Sequence, residues 1–131
     1  RVCSAAEVLD TGGSVVQRER TAGTQQAFGR WVRRAHLRRP GGPTASGHVE
    51  VCRMVALGVA AAGVTAEPAA AAAGLGFDAL EEHVVALWCP RDLLGERAVA
   101  EIMDRFTSAN FRARVAAFPA YDTELLGREV A

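Results

Sequence analysis

Between Ala22 and His36 the apolar side chains Phe28, Trp31, Val32 and Ala35 recur at i, i+3, i+4 and i+7, while Gln26, Arg30, Arg33 and Arg34 take the other face. That stripe has the 3.6-residue period and predicts an amphipathic helix. Val15 and Val16, just before it, read as a brief buried strand. A second helix is predicted to start near Gly47-His48, carried by Val49, Cys52, Val55, Ala56 and Val59. Residues 62–65 read as a short strand. Glu67-Pro68 then opens an alanine helix, with proline tolerated in the first turn, and Gly74 and Gly76 end it. Residues 77–80 and 84–88 read as two further strands. Beyond Cys89-Pro90, one helix is marked by Val99, Ile102, Met103 and Phe106. Ser108 caps another that carries Phe111, Val115 and Phe118. At the start of the chain, Ser4-Ala5-Ala6-Glu7 has capping-box spacing, so residues 5–9 form a short helix closed by Gly12-Gly13.

Strand and helix alternate, and two helices close the chain. This order predicts an α/β fold with a mostly parallel sheet, and no internal repeat is present. At 131 residues the chain is one domain's worth. Half of it is hydrophobic, which separates it from disordered chains. The formal charge is zero, which removes any whole-protein attraction to nucleic acid or membrane. The charge is unevenly spread: residues 1–40 hold eight Arg against Glu7, Asp10 and Glu19, a net of +5, and the remainder carries −5. All fifteen basic residues are Arg, which together with the abundant alanine reads as coding bias rather than chemistry.

The apolar run at 55–75 is cut by Gly58, Gly63, Glu67, Pro68 and Gly74 into pieces too short to span a bilayer. Cys3, Cys52 and Cys89 lie far apart without metal-ligand spacing, and Cys52 and Cys89 read as buried thiols. An odd, unpaired count suits a reducing cytoplasm. No signal peptide is visible, and the chain begins with Arg in mid-pattern, as a fragment or a processed product does.

The candidate chemistry is concentrated where strands hand over to helices. Thr21-Ala22-Gly23-Thr24 follows the first strand, so the first N–H groups of the next helix point outward without partners. With the helix dipole they make an anion site, to which Thr21 and Thr24 add hydroxyls and Arg18 and Arg20 add charge. Gly47-His48 opens a second helix and Glu67 a third, so three such starts can meet at the carboxyl ends of a parallel sheet. Catalytic chemistry finds little support. His36, His48 and His83 lack acidic or cysteine partners at short spacing, and neither G-x-S-x-G nor H-E-x-x-H occurs. No catalytic residue, metal ligand or cofactor is expected. Arg30, Arg33, Arg34, Arg38 and Arg39 form a basic edge with no aromatic interleaving and no helix-turn-helix, which reads as a solvated face rather than a nucleic-acid surface.

The segments "VVQRERTAGTQQ", "GHVEVCRMVALGVAAAGV", "AAAAAGLGFDAL" and "RFTSANFRARVAAFPAYDTELLGREV", in this order, resemble the later part of the PBP-like domain. This is a type 2 periplasmic-binding-protein fold found beside helix-turn-helix domains in bacterial regulators and in some molybdopterin-biosynthesis proteins. The ending "FRARVAAFPAYDTELLG" is similar to the family's F-R-x-x-L…G-Y-D-T-S-x-T-G and is the most specific part. The resemblance covers nearly the whole chain and about the last two-thirds of the family's domain. It implies a two-lobed, non-catalytic ligand sensor in which residues 1–82 supply most of the second lobe, and 83–131 the return strand and the C-terminal helices.

Small anions such as molybdate sit between the lobes of the wider fold, on helix N-termini. Thr21-Ala22-Gly23-Thr24 matches the family's G-S/A-G-T turn after its N-R pair, Gly47-His48 its T-H helix start, and Tyr121-Asp122-Thr123 its Y-D-T. The departures are specific. Gln25 stands in place of an arginine and Thr21 in place of a glycine; 58–63 lacks the family's acid; 84–87 lacks its Tyr and Asp; and 124–127 lacks a hydroxyl pair. The resemblance therefore implies a weakened or altered site in an effector domain of a cytoplasmic regulator. The alternatives are a domain attached to a molybdopterin-biosynthesis protein and a degenerate lobe serving only for interaction. The implied partners are a small anionic ligand, a missing N-terminal lobe, a helix-turn-helix domain and, as a further option, a second copy. An exposed apolar strip is expected along residues 96–118, where the missing segment would pack.

Overall fold

The computed structural model describes residues 4–118 and 120–128; Cys3 lies outside them. The described chain divides into two compact units that meet between Glu82 and His83.

The first unit is built on β1 (Val15–Arg18), which lies at the centre of a three-stranded, all-parallel sheet. On one side it pairs with β2 (Thr44–Ala45), Gln17 opposite Thr44 and Arg18 opposite Ala45. On the other side it pairs with β3 (Ala62–Gly63), Val15 opposite Ala62 and Val16 opposite Gly63. Each strand runs directly into a helix: α2 (Gly23–Arg34), α3 (His48–Ala56) and α4 (Glu67–Ala72). A short α1 (Ala5–Asp10) precedes the sheet, and both halves of its capping box form between Ser4 and Glu7.

The alternation of side chains along β1 decides the layers. Val15 points into one cluster with Leu9, Phe28, Val32 and Val64, so α1 and α2 cover that face. Val16 points into another with Ala45, Val51 and Ala60, so α3 covers the opposite face. Val16 and Val51 are the most completely buried side chains of any size, and burying a valine contributes about 1.5–3 kcal/mol. Helices on both faces, with the chain leaving β1 to one side and returning on the other, make the carboxyl end of β1 a topological switch point.

Close approach fixes two glycines. Gly42, at φ +150, runs against the backbone of Val15, where a Cβ has no room. Gly63 brings β3 so near α3 that a Cβ there would overlap Val51 Cγ1.

The second unit holds a 3₁₀ turn (Arg91–Leu93), α5 (Arg97–Thr107) and α6 (Ala109–Ala116). Ser108 caps α6 by accepting from the Phe111 N–H at 3.2 Å, and Phe106 meets Phe111 edge-to-face with centroids 5.0 Å apart. No described residue of this unit is buried. Ile102, Met103 and Phe118 are exposed.

The structure corrects several expectations. Residues 77–80 and 84–88 form no strands; Val84, Val85, Leu87 and Trp88 are exposed. An apolar run becomes a strand only where a neighbouring backbone offers its ladder, and none pairs with these residues. Val49 and Val59, expected in the core, are exposed, because α3 ends at Ala56 and presents Val51 and Cys52 to the sheet instead. β2 has no sequence signature, being two residues long and defined only by its pairing with β1. Cys52 is buried, as expected, whereas Cys89 is only half-buried. Among the described residues no helix is long and apolar enough to cross a membrane.

Candidate functional site

The carboxyl edge of the sheet gathers the starts of three helices, and none of their N-cap residues supplies a side-chain cap. These N-caps are Ala22 for α2, Gly47 for α3 and Ala66 for α4, none with a side-chain oxygen to offer. The first intrahelical donors are Gln26 in α2 and Val51 in α3. The amides before them, at Gly23 and Thr24 and at His48 and Val49, therefore lie at the positive ends of the two longer helices.

Arg18, the last residue of β1, stands between these helix starts. Its side chain is 9% exposed. Nε and Nη2 donate to the two carboxylate oxygens of Glu19 at 3.2 and 3.1 Å, and Nη2 also donates to the Ser46 carbonyl at 3.2 Å, next to the α3 N-cap. Nη1 is buried and has no partner. The Thr24 hydroxyl, in the first turn of α2, is likewise buried without one. Two orphaned donor groups at the mouth of a switch point suit an anion, because a buried guanidinium N–H left unmade is costly.

His48 opens α3 and is tied to the start of α4. The Ala66 N–H donates to Nδ1 at 3.2 Å, and the Thr65 hydroxyl lies 3.2 Å from the same nitrogen and 3.7 Å from Cys52 Sγ. An amide N–H can only donate, so Nδ1 is the acceptor and the neutral ring carries its proton on Nε2. Burial, and then the Arg18 charge, hold His48 below its ordinary value, with Glu19 opposing them. Glu50 reaches back from the first turn of α3 to accept from the Ser46 N–H at 2.7 Å and its hydroxyl at 2.9 Å, and these bonds keep its carboxyl below the usual range.

The candidate residues thus have different fates. Arg18 is brought beside the start of α3, bonding the Ser46 carbonyl next to Gly47 and acting by its charge on His48, while Gly23 and Thr24 stand in the first turn of α2. Gln25 is buried and its amide is spent inside the protein: Oε1 accepts from the Arg18 N–H, and Nε2 donates to Gln17 Oε1, both at 2.8 Å. Arg20 and Thr21 are exposed on the turn, and Ala22 is the α2 N-cap. Glu67 sits in the first turn of α4. Tyr121, Asp122 and Thr123 belong to the second unit, where the Thr123 carbonyl accepts from Arg112, Asp122 Oδ1 accepts from the Glu124 N–H, and Tyr121 packs edge-on to Phe118. An open groove lined by Glu101, Asp104, Arg105 and Ser108 also belongs to that unit.

Sequence reasoning passed over Glu19, Ser46, Glu50 and Thr65. A usable signal existed: Arg18 ends a strand, Ser46 and Thr65 lie in the short links between a strand and a helix, and Glu50 lies four residues after Ser46. Among the described residues no group of three or more His, Cys, Asp or Glu is placed to hold a metal ion.

No curated protein and no solved structure matches the chain. A sequence model of the PBP superfamily domain matches residues 1–107. With an all-parallel sheet, helices on both its faces and three helix starts at its carboxyl edge, the chain belongs to the PBP superfamily.

Proposed function

We propose that the first unit binds a small oxyanion at the carboxyl end of β1 and that the domain works as a sensor rather than a catalyst. The superfamily's general role is ligand binding, which sets the class of activity. The observation that carries the finer reading is Arg18: a guanidinium 9% exposed, with an unpartnered Nη1, beside two helix starts that lack side-chain caps. Thr24 Oγ1 and the α2 amides complete the donors, and His48 adds Nε2–H as a neutral one. In the wider setting we propose, the domain is the effector part of a cytoplasmic transcriptional regulator responding to oxyanion or molybdenum-cofactor supply, with a further lobe and a DNA-binding domain as partners.

The test is thermal melting against molybdate, tungstate, sulfate and phosphate. At 100 times the dissociation constant, stabilisation approaches about 2.7 kcal/mol. Arg18→Gln should abolish the shift. If none of the four anions moves the melt of the wild-type chain or of a variant lacking the Glu19 carboxylate, the turn after β1 is only a turn. A second reading, a lobe used solely as an interaction surface, draws on the exposed Val84, Val85, Leu87 and Trp88.

A further inference from the structure

Arg18 has one free nitrogen and one occupied edge. A bidentate oxyanion needs two parallel N–H groups, and a guanidinium offers them at two places. The Nη1–Nη2 edge is compromised, because one Nη2 proton goes to the Ser46 carbonyl. The Nε–Nη2 edge is the fully formed fork, and the Glu19 carboxylate fills it with bonds of 3.2 and 3.1 Å. Glu19 is the next residue in the chain, so it is always at hand, and its side chain is 46% exposed, so releasing it sacrifices little packing. Its charge is also felt across the helix start, where it raises both His48 and Glu50 against the effects that lower them. A carboxylate in that position disfavours a second anion whether it leaves the fork or stays and repels.

Resting on the anion-site reading above, we propose that Glu19 is a built-in competitor for the site: it occupies the Nε–Nη2 edge of Arg18 that an incoming small oxyanion takes in its place. The side chain sets the threshold of the sensor. Anion binding is then an exchange of one carboxylate for another oxyanion on the same guanidinium edge, and affinity is reduced by whatever the Arg18–Glu19 pair contributes.

The experiment is calorimetric titration of the full chain with sulfate and with molybdate, in the wild type, Glu19→Gln, Glu19→Ala, Arg18→Gln and Arg18→Lys. Far-UV circular dichroism verifies that each variant is folded. Both Glu19 variants should bind either anion about three- to tenfold tighter, the size expected for removing a half-exposed ion pair and its repulsion. Arg18→Gln should bind neither, and Arg18→Lys, which keeps charge without the fork, should bind more weakly than wild type. Binding seen only in the Glu19 variants supports the proposal in its strongest form. Wild-type binding that is equal or weaker in both Glu19 variants overturns the competitor role and leaves the anion site standing. Absence of binding in the wild type and both Glu19 variants, or binding that survives both Arg18 variants, overturns the anion site and the competitor together.

Discussion

The side-chain oxygen of Gln25 accepts the backbone N–H of Arg18 at 2.8 Å, and this one bond ties the first turn of α2 to the end of the central strand. Gln25 Nε2 completes the link through Gln17 Oε1, and Gln17 in turn donates to the Pro40 carbonyl at 2.8 Å. Buried and bonded inside the protein through both its oxygen and its nitrogen, the amide braces the end of β1 at Arg18. Gln25→Leu should destabilise by about 1–3 kcal/mol, the cost of leaving buried partners unmade, read as a lower urea midpoint. Gln25→Arg should lower the melting temperature as well, because it places a charge where both neighbours expect an amide. A stabilised Gln25→Arg variant would refute this role.

His48 makes stability depend on pH in a definite direction. Its native value lies below the ordinary 6.5, so the unfolded chain takes up the proton first as the pH falls. Stability is therefore full above about pH 6.5, declines as pH drops toward the native value, and levels off beneath it. Glu50, held below its ordinary 4.5, adds a separate loss that begins only under that pH. Urea midpoints measured from pH 8 to pH 5 should fall in the wild type and stay flatter in His48→Gln, whose side-chain oxygen still accepts the Ala66 N–H. Parallel curves for the two proteins would remove His48 from the account.

At the far end of α2, His36 sits at φ +54, and the Leu37 N–H returns to the Val32 carbonyl at 3.1 Å. This is a Schellman-type closure with a histidine where glycine is the usual choice. His36→Gly should raise stability by about 1 kcal/mol, since a left-handed conformation costs an L-residue roughly that much. Thermal melting of the single variant checks it, and a lower melting point would show that the imidazole contributes something the backbone argument omits.

The two units should differ in protection. β1, α2 and α3 pack around buried residues, whereas no described residue of 83–128 is buried. Amides of α5 and α6 should exchange with solvent at least about ten times faster than those of β1 and α3, because opening them exposes little new apolar surface. Hydrogen exchange followed by mass spectrometry resolves the segments. Equal protection would mean that the helices are held by more than their own packing.

What the sequence determined by itself is whatever depends on near neighbours along the chain. The stripe Phe28, Trp31, Val32 and Ala35 is intrinsic to a helix, as are the Ser4–Glu7 box, the Ser108 cap and the proline of α4, so these elements appear close to where periodicity and capping put them. The small-residue turn after β1 was equally legible, because a strand, a short turn and a helix leave unpaired amides whatever else surrounds them. Tertiary structure decided the rest. β2 exists only because Thr44 and Ala45 lie along β1, while the apolar runs at 77–80 and 84–88 join no ladder, since strand pairing is a relation between distant backbones. It also decided the roles within the site. Gln25 and Arg18 are equally polar on paper, but the buried Gln25 amide makes two 2.8 Å bonds inside the protein, while the Arg18 guanidinium keeps a buried Nη1 without a partner. Local pattern specifies which groups a segment carries; only packing specifies which of their hydrogen bonds are already used.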